Sequence, residues 1–196
     1  MEDKAKLKRV LKLLKQTIND KMVMGADKLS QIFTWVNAPY GVQPYLKSHT
    51  GGGISFGYGL VRWNSRKQKL NTKSSTESEV VGVSDYLSYN IWMCLSIEAQ
   101  RYDIKHNIII LQDKHGAIRM KKNGKKSCTR NFSHLDIHYF FLKDRVYSNN
   151  MTITYCSTYH MLADFCTKFL QGSLFANFCD VIMGWKHVDT LHMGPQ

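Results

Sequence analysis

The chain has 196 residues, with 27 Lys and Arg against 15 Asp and Glu, for a formal net charge of +12. Its 43% hydrophobic and 12% aromatic content excludes a disordered basic tail and suits one domain of ordinary size with a short extra piece. Even the longest purely apolar runs are short, as in Ile108–Leu111, which excludes a membrane-spanning helix, and the start MEDKAKLKRV lacks the apolar region of a secretory signal.

In chain order, residues 4–18 read as a helix, with Leu7, Val10, Leu11, Leu14 and Ile18 at helical spacing. Lys4, Lys8, Arg9, Lys12 and Lys15 cover the other side. A helix lying on a membrane surface is one reading; a packing helix with a basic outer face is the one adopted, because lysine-rich outer faces are common. From 32 to 70 the signals become those of strands. Ile32–Val36 is rich in β-formers, and Gly51–Gly57 leads through a glycine turn to Leu60–Trp63, which predicts an antiparallel meander.

A long helix follows, to about Ala99. Ser74 with Glu77 and Thr76 with Glu79 both match a capping box, and Val80, Val83, Leu87, Ile91 and Cys94 form the apolar stripe. Asn107–Gln112 has the length and composition of a buried strand and ends at Asp113. The pattern then predicts a short helix over 115–122, a basic loop over Lys121–Arg130, and a helix over 134–147. Next come a strand over Met151–Cys156, a helix over His160–Leu170 carrying Asp164, and a last helix marked by Leu174, Phe178, Val181 and Ile182. The order is that of an α/β fold whose sheet starts antiparallel and continues parallel.

The charge is uneven. Between Asp27 and Glu77 there is no acid, but Lys28, Lys47, Arg62, Arg66, Lys67, Lys69 and Lys73 occur. Between Asp113 and Asp136 there is again none, against Lys114, Arg119, Lys121, Lys122, Lys125, Lys126 and Arg130. Such runs, with Tyr58 and Trp63 near the first, suit a polyanion such as nucleic acid; the alternative is a solvated face that keeps the protein soluble. Cys94, Cys128, Cys156, Cys166 and Cys179 form no CxxC pair and read as reduced thiols of an intracellular protein, in cytoplasm or nucleus.

Acids are scarce, so their placement is informative. Glu79 lies in the first turns of the long helix, Asp113 at the end of a buried strand, and Asp164 in a late helix. Strand ends and helix starts can converge on one sheet edge, where carboxylates would bind hard divalent cations. Taken singly, Glu79 could be a capping acid, Asp113 a loop starter and Asp164 a solvated acid. His134 and His138 have i,i+4 spacing, but no HExxH and no cysteine pair accompany them, so they read as structural. His160 reads as a surface residue.

Longer motifs are more specific. Lys67–Glu79, KQKLNTKSSTESE, resembles the KQK…SSTEAE signature of the ribonuclease H domain of copia-type retrotransposon polyproteins. The same family is resembled by Ser48–Gly52, by Gln112-Asp113 with Ala117-Ile118, and by His134–Phe141. Leu162–Lys168 and Leu170–Phe175 fit it too, and the motifs run in the family's order over about 30–182. LKRVLKLLKQTI near the start resembles the end of the preceding reverse transcriptase region. No YxDD polymerase motif occurs, and nothing resembles the family's protease or integrase motifs. The boundaries that follow are a helix resembling the reverse transcriptase end at 1–29, a ribonuclease H-like domain at 30–171, and a C-terminal helix and tail at 172–196.

The resemblance implies a ribonuclease H-like mixed five-stranded sheet with helices on both faces. It implies cleavage of the RNA strand of RNA–DNA hybrids with Mg²⁺ or Mn²⁺, through a metal-activated water. Glu79, Asp113 and Asp164 match three of the family's four metal-binding acids. The fourth falls in strand one in a pattern like TWVDA, and here the residues are Thr34-Trp35-Val36-Asn37-Ala38. Asn37 keeps the shape and one oxygen of an aspartate but not the charge that a site between two dications requires. Further departures are Lys114, where the family has Asn, Phe169, where it has Pro, and Pro39 just after strand one. The expected function is therefore a hybrid-cleaving domain impaired by Asn37, with weakly bound metal. The alternative is an inactive nucleic-acid-binding remnant of the Pol polyprotein. Nucleic acid is expected at Arg62, Arg66, Lys67, Lys69, Lys73, Lys121, Lys122, Lys125 and Lys126, possible partners include the rest of a Pol polyprotein, and no membrane is involved.

Overall fold

Segments rich in β-branched and aromatic residues line up as one mixed sheet in a computed structural model of the chain, which describes residues 2–27, 29–102, 107–113, 136–148 and 151–191. The strands are β1 (Gly25–Ala26), β2 (Gln31–Asn37), β3 (His49–Ser55), β4 (Gly57–Tyr58), β5 (Arg62–Lys67), β6 (Asn107–Gln112) and β7 (Met151–Tyr155). Five of them form the sheet in the order β5-β3-β2-β6-β7, while β1 and β4 make a separate two-stranded ribbon. β2 runs antiparallel to β3 and parallel to β6, so the meander and the parallel continuation meet at β2. Its residues from Ile32 to Asn37 are all buried, because helices and turns cover both faces of the sheet.

The helices are α1 (Glu2–Gln16), α2 (Ser75–Ala99), α3 (Asp136–Tyr147) and α4 (Gly172–Ile182). Alternation along the strands divides the interior in two. Ile32, Val36, Ile54, Ile108 and Ile110 pack with Val83 and Leu87 of α2 and Leu142 of α3. Phe33, Trp35 and Leu111 pack on the other face with Met161, Leu162 and with Phe178 and Val181 of α4. Each fully buried aliphatic side chain contributes about 1.5–3 kcal/mol, so both layers are needed to hold the sheet.

Two capping boxes are present in the sequence, and the first starts α2. Ser74 Oγ accepts from Glu77 N at 3.2 Å, and the Glu77 carboxylate accepts from Lys73 N at 2.5 Å. Gln68, in the middle of KQK, is buried. Its Nε2 donates to Thr50 Oγ1 at 2.8 Å and to Ser78 O at 2.9 Å. Ser78 Oγ in turn donates to Ala38 O at 2.7 Å. This motif therefore ties β3, the end of β2 and the start of α2 together.

Three expectations are corrected. Residues 160–170 do not form an α-helix: two 3₁₀ turns, Thr158–His160 and Leu162–Cys166, carry the segment. Ser65 Oγ on β5 takes the Cys166 carbonyl at 2.6 Å, which pulls that carbonyl out of any helical ladder. The third strand does not end at Trp63 but runs over Arg62–Lys67; its polar half hid it, as befits an edge strand. Finally, α1 is not packed. Its side chains from Asp3 to Gln16 are exposed, including Leu7, Val10, Leu11 and Leu14, because periodicity signals a helix without supplying a partner for its stripe. The predicted helix over 115–122, the basic loop and His134 lie outside the described residues. Among the described residues no helix is long and apolar enough to cross a membrane.

Candidate functional site

The C-terminal ends of β2 and β6 lie side by side, and the turn over Leu162–Cys166 lies against β3 beside them. Asn37 ends β2, is 2% exposed, and stands opposite Gly51 of β3. Gly51 makes the approach possible: a Cβ there would sit 2.5 Å from Thr167 Cγ2 and 2.8 Å from Cys166 Cβ. The bare backbone lets the turn carrying Asp164 settle directly against the sheet.

Asn37 and Asp164 are thereby in contact. Asn37 Nδ2 donates to Asp164 Oδ1 at 2.7 Å and to Thr167 Oγ1 at 2.9 Å. Lys168 Nζ lies 2.8 Å from the other carboxylate oxygen, Oδ2. Asp164 is 1% exposed, and burial pushes its pKa up from the ordinary carboxylate value. Lys168 and the Asn37 amide pull it back down, whereas the charge of Asp113 raises it.

Asp113 follows β6 directly. Its Oδ1 is buried and accepts no hydrogen bond. Cys156 is within the electrostatic reach of both acids: burial, then Asp113 and Asp164, pushes its thiol up to about 12. Glu79 reaches the same strand ends from α2, on the opposite face of the sheet. It is 1% exposed, and its Oε2 accepts from Gln112 Nε2 at 3.2 Å. Asn37, Asp113 and Asp164 are therefore neighbours, and Glu79 is held one layer away by Gln112. Among the described residues no group of three or more His, Cys, Asp or Glu is placed to hold a metal ion.

The donor chemistry tests whether a pair of divalent cations suits this site. Hard dications need anionic or carbonyl oxygens that are free to coordinate. Asp113 Oδ1 offers one. Asp164 offers none without displacing a protein donor, since an amide and an ammonium already engage its two oxygens. Position 37 presents an N–H to Asp164 where the resembled family has an aspartate. As arranged, these residues do not fit a two-metal centre.

The other candidates fall in different places. Arg66 Nη2 donates to Asp85 Oδ2 at 3.0 Å, and the Arg62 guanidinium lies 3.5 Å over the Tyr89 ring, so both engage α2. Lys67, Lys69 and Lys73 are exposed. Lys114, Lys121, Lys122, Lys125 and Lys126 lie outside the described residues. His138 Nδ1 is 2.8 Å from Ser84 Oγ of α2, a packing role, and His160 pairs with Ser157 rather than with Asp164. Cys94, Cys156, Cys166 and Cys179 are free thiols. The contributions of Gln112, Thr167 and Lys168 were missed from sequence; each adjoins or lies close to a candidate acid, and that adjacency was the available signal.

Comparison with known proteins agrees with this architecture. Over 177 residues, 90% of the chain, it is 28% identical to the Retrovirus-related Pol polyprotein from transposon RE1 of Arabidopsis thaliana. Over 179 residues, 91% of the chain, it is 24% identical to the corresponding protein from transposon TNT 1-94 of Nicotiana tabacum. It spans only 12% and 13% of the length of these relatives. No family model matches the chain. Among solved structures, LC11-RNase H1 isolated from compost superposes with a TM-score of 0.50 at 10% identity, covering 70% of this chain and 93% of that one, a likeness of fold. Over most of its length the chain is similar to retrovirus-related Pol polyproteins from transposons, and its sheet has the ribonuclease H-like fold.

Proposed function

We propose that this chain is a ribonuclease H-like module of a Pol polyprotein that binds RNA–DNA hybrid, its cleavage of the RNA strand impaired by Asn37. The observation that carries the reading is the hydrogen bond from Asn37 to Asp164. At the position where the resembled family keeps a carboxylate, this chain has a donor that ties up the neighbouring acid. What remains is a fold that can present a phosphate-binding surface, with a net charge of +12 behind it. Mg²⁺ or Mn²⁺ would supply water activation in an intact site, and the donors here compete with that role.

The reading predicts hybrid binding that weakens steeply with salt, and poor cleavage in Mg²⁺. Asn37→Asp is expected to raise the cleavage rate by at least about tenfold, or about 1.4 kcal/mol of barrier. Asp113→Asn in that background is expected to remove the gain. Robust cleavage by the unmodified chain would sink the assigned effect of Asn37. The contact between Lys168 and Asp164 favours a second reading, a binding remnant without catalysis. Hybrid binding with an inert Asn37→Asp variant would select it.

A further inference from the structure

The basic residues of β5 do not share one surface. Arg62 and Arg66 turn toward Tyr89 and Asp85 of α2. Strand alternation sends Trp63, Ser65 and Lys67 to the opposite face, and all three are exposed, Trp63 to 58%. The strand register identifies that face. Gly51 stands opposite both Asn37 and Ser65, so these side chains share a side of the sheet. Trp63 opposite Gly53 and Lys67 opposite His49 belong to the same side. Ser65 Oγ also donates to Cys166 O at 2.6 Å, in the turn that holds Asp164. The exposed row therefore runs alongside the candidate site, at the sheet's edge.

Its chemistry is one-sided. Lys69 and Lys73 follow, also exposed, and no acid occurs between Asp27 and Glu77. An exposed indole flanked by ammonium groups that make no ion pair among the described residues suits a polyanion that also carries flat apolar surface, which is nucleic acid. Trp63 and Lys67 are about 13 Å apart along the strand, a span of several nucleotides.

We propose that Trp63 and Lys67, continued by Lys69 and Lys73, form the surface on which RNA–DNA hybrid lies as it leaves the Asn37–Asp164 site. The indole packs against a sugar or base edge, and the ammonium groups meet phosphates. This rests on the hybrid-binding reading above, and it moves the β5 contact from the arginines to the other face of the strand.

The test uses a fluorescein-labelled 18-base-pair RNA–DNA hybrid and anisotropy titrations of the full chain at several salt concentrations. Trp63→Ala is expected to weaken binding about tenfold with an unchanged salt slope. Lys67→Ala is expected to lower that slope by about one. Trp92→Ala, which removes the exposed indole of α2, should bind like the parent. Hydroxyl-radical footprinting of the unmodified protein gives a readout that needs no variant: the hybrid should protect Trp63 and leave Trp92 reactive. A parent that binds hybrid with Trp63 unprotected, or a folded Trp63→Ala variant of parental affinity, overturns the inference alone. A parent that does not bind hybrid overturns the hybrid-binding reading instead.

Discussion

At position 37 an amide nitrogen stands where a carboxylate oxygen would, and the contact it makes changes sign with that atom. Asn37 donates to Asp164 at 2.7 Å and helps to hold the buried acid ionised. An aspartate there would put two carboxyl groups at that separation, and one proton would have to be shared. One folded-state pKa then rises above its unfolded value of about 4. The native state retains a proton that the unfolded chain releases, so stability present at low pH is lost as pH rises through the raised pKa. In EDTA the Asn37→Asp variant should match the parent most closely near pH 4. It should fall behind by about 1–3 kcal/mol near pH 7. Melting curves of both proteins across that range check the sign, and a gap that is flat or narrows with rising pH refutes it. The presence of Asn37 was legible in the sequence, because the Thr-Trp-Val-Asn-Ala segment could be set against the family pattern. Its hydrogen bond was not, since the partner lies 127 positions away and arrives only because Gly51 has no side chain.

Among the elements, those announced by local chemistry were easiest to read. α2 has a capping box before it and an apolar stripe along it, and it starts where Ser74 and Glu77 place it. β5 was cut short because Arg62, Asn64 and Arg66 alternate with Trp63, Ser65 and Lys67, leaving no apolar row to count. The segment around Asp164 was misread as a helix because its bonds to Asn37 and Ser65 come from distant strands. α1 shows the converse: its periodicity is plain, but no element covers its stripe among the described residues. Gln68 shows how a recognised motif can have a structural cause. Gln68→Ala leaves Thr50 Oγ1 and the Ser78 carbonyl without their donor in a buried site. The Gln68 Oε1 atom is itself buried and unpaired, which offsets part of the loss. A net cost of about 2 kcal/mol is expected, or about 4–8 °C in Tm for a chain of this size. Lys69→Ala, one residue further and exposed, should stay within about 0.5 kcal/mol of the parent in the same circular dichroism melt.

For the whole molecule, the sheet and its two cores set the shape, and the charge sets how that shape responds to its surroundings. The antiparallel start and parallel continuation of the sheet could be anticipated from the order of strands and helices; which face each basic residue takes could not, because it depends on register. A net charge of +12 on one chain repels itself in the folded state and less so when the chain expands. Salt screens that repulsion, with a Debye length falling from about 10 Å at 0.1 M to about 3 Å at 1 M. The Tm of the free protein should therefore rise as NaCl is raised from about 0.05 M to about 0.5 M. Bound hybrid supplies phosphates that neutralise the same charges, so it should raise Tm at low salt by an amount set by its affinity. Counterion release then weakens binding as salt increases, and the ligand's increment should shrink over the same range. Two melts at each salt concentration, with and without hybrid, follow both quantities at once. The two trends must run in opposite directions if the basic surface is a binding surface. If hybrid leaves Tm unchanged at low salt while NaCl still raises it, the positive charge serves solubility alone.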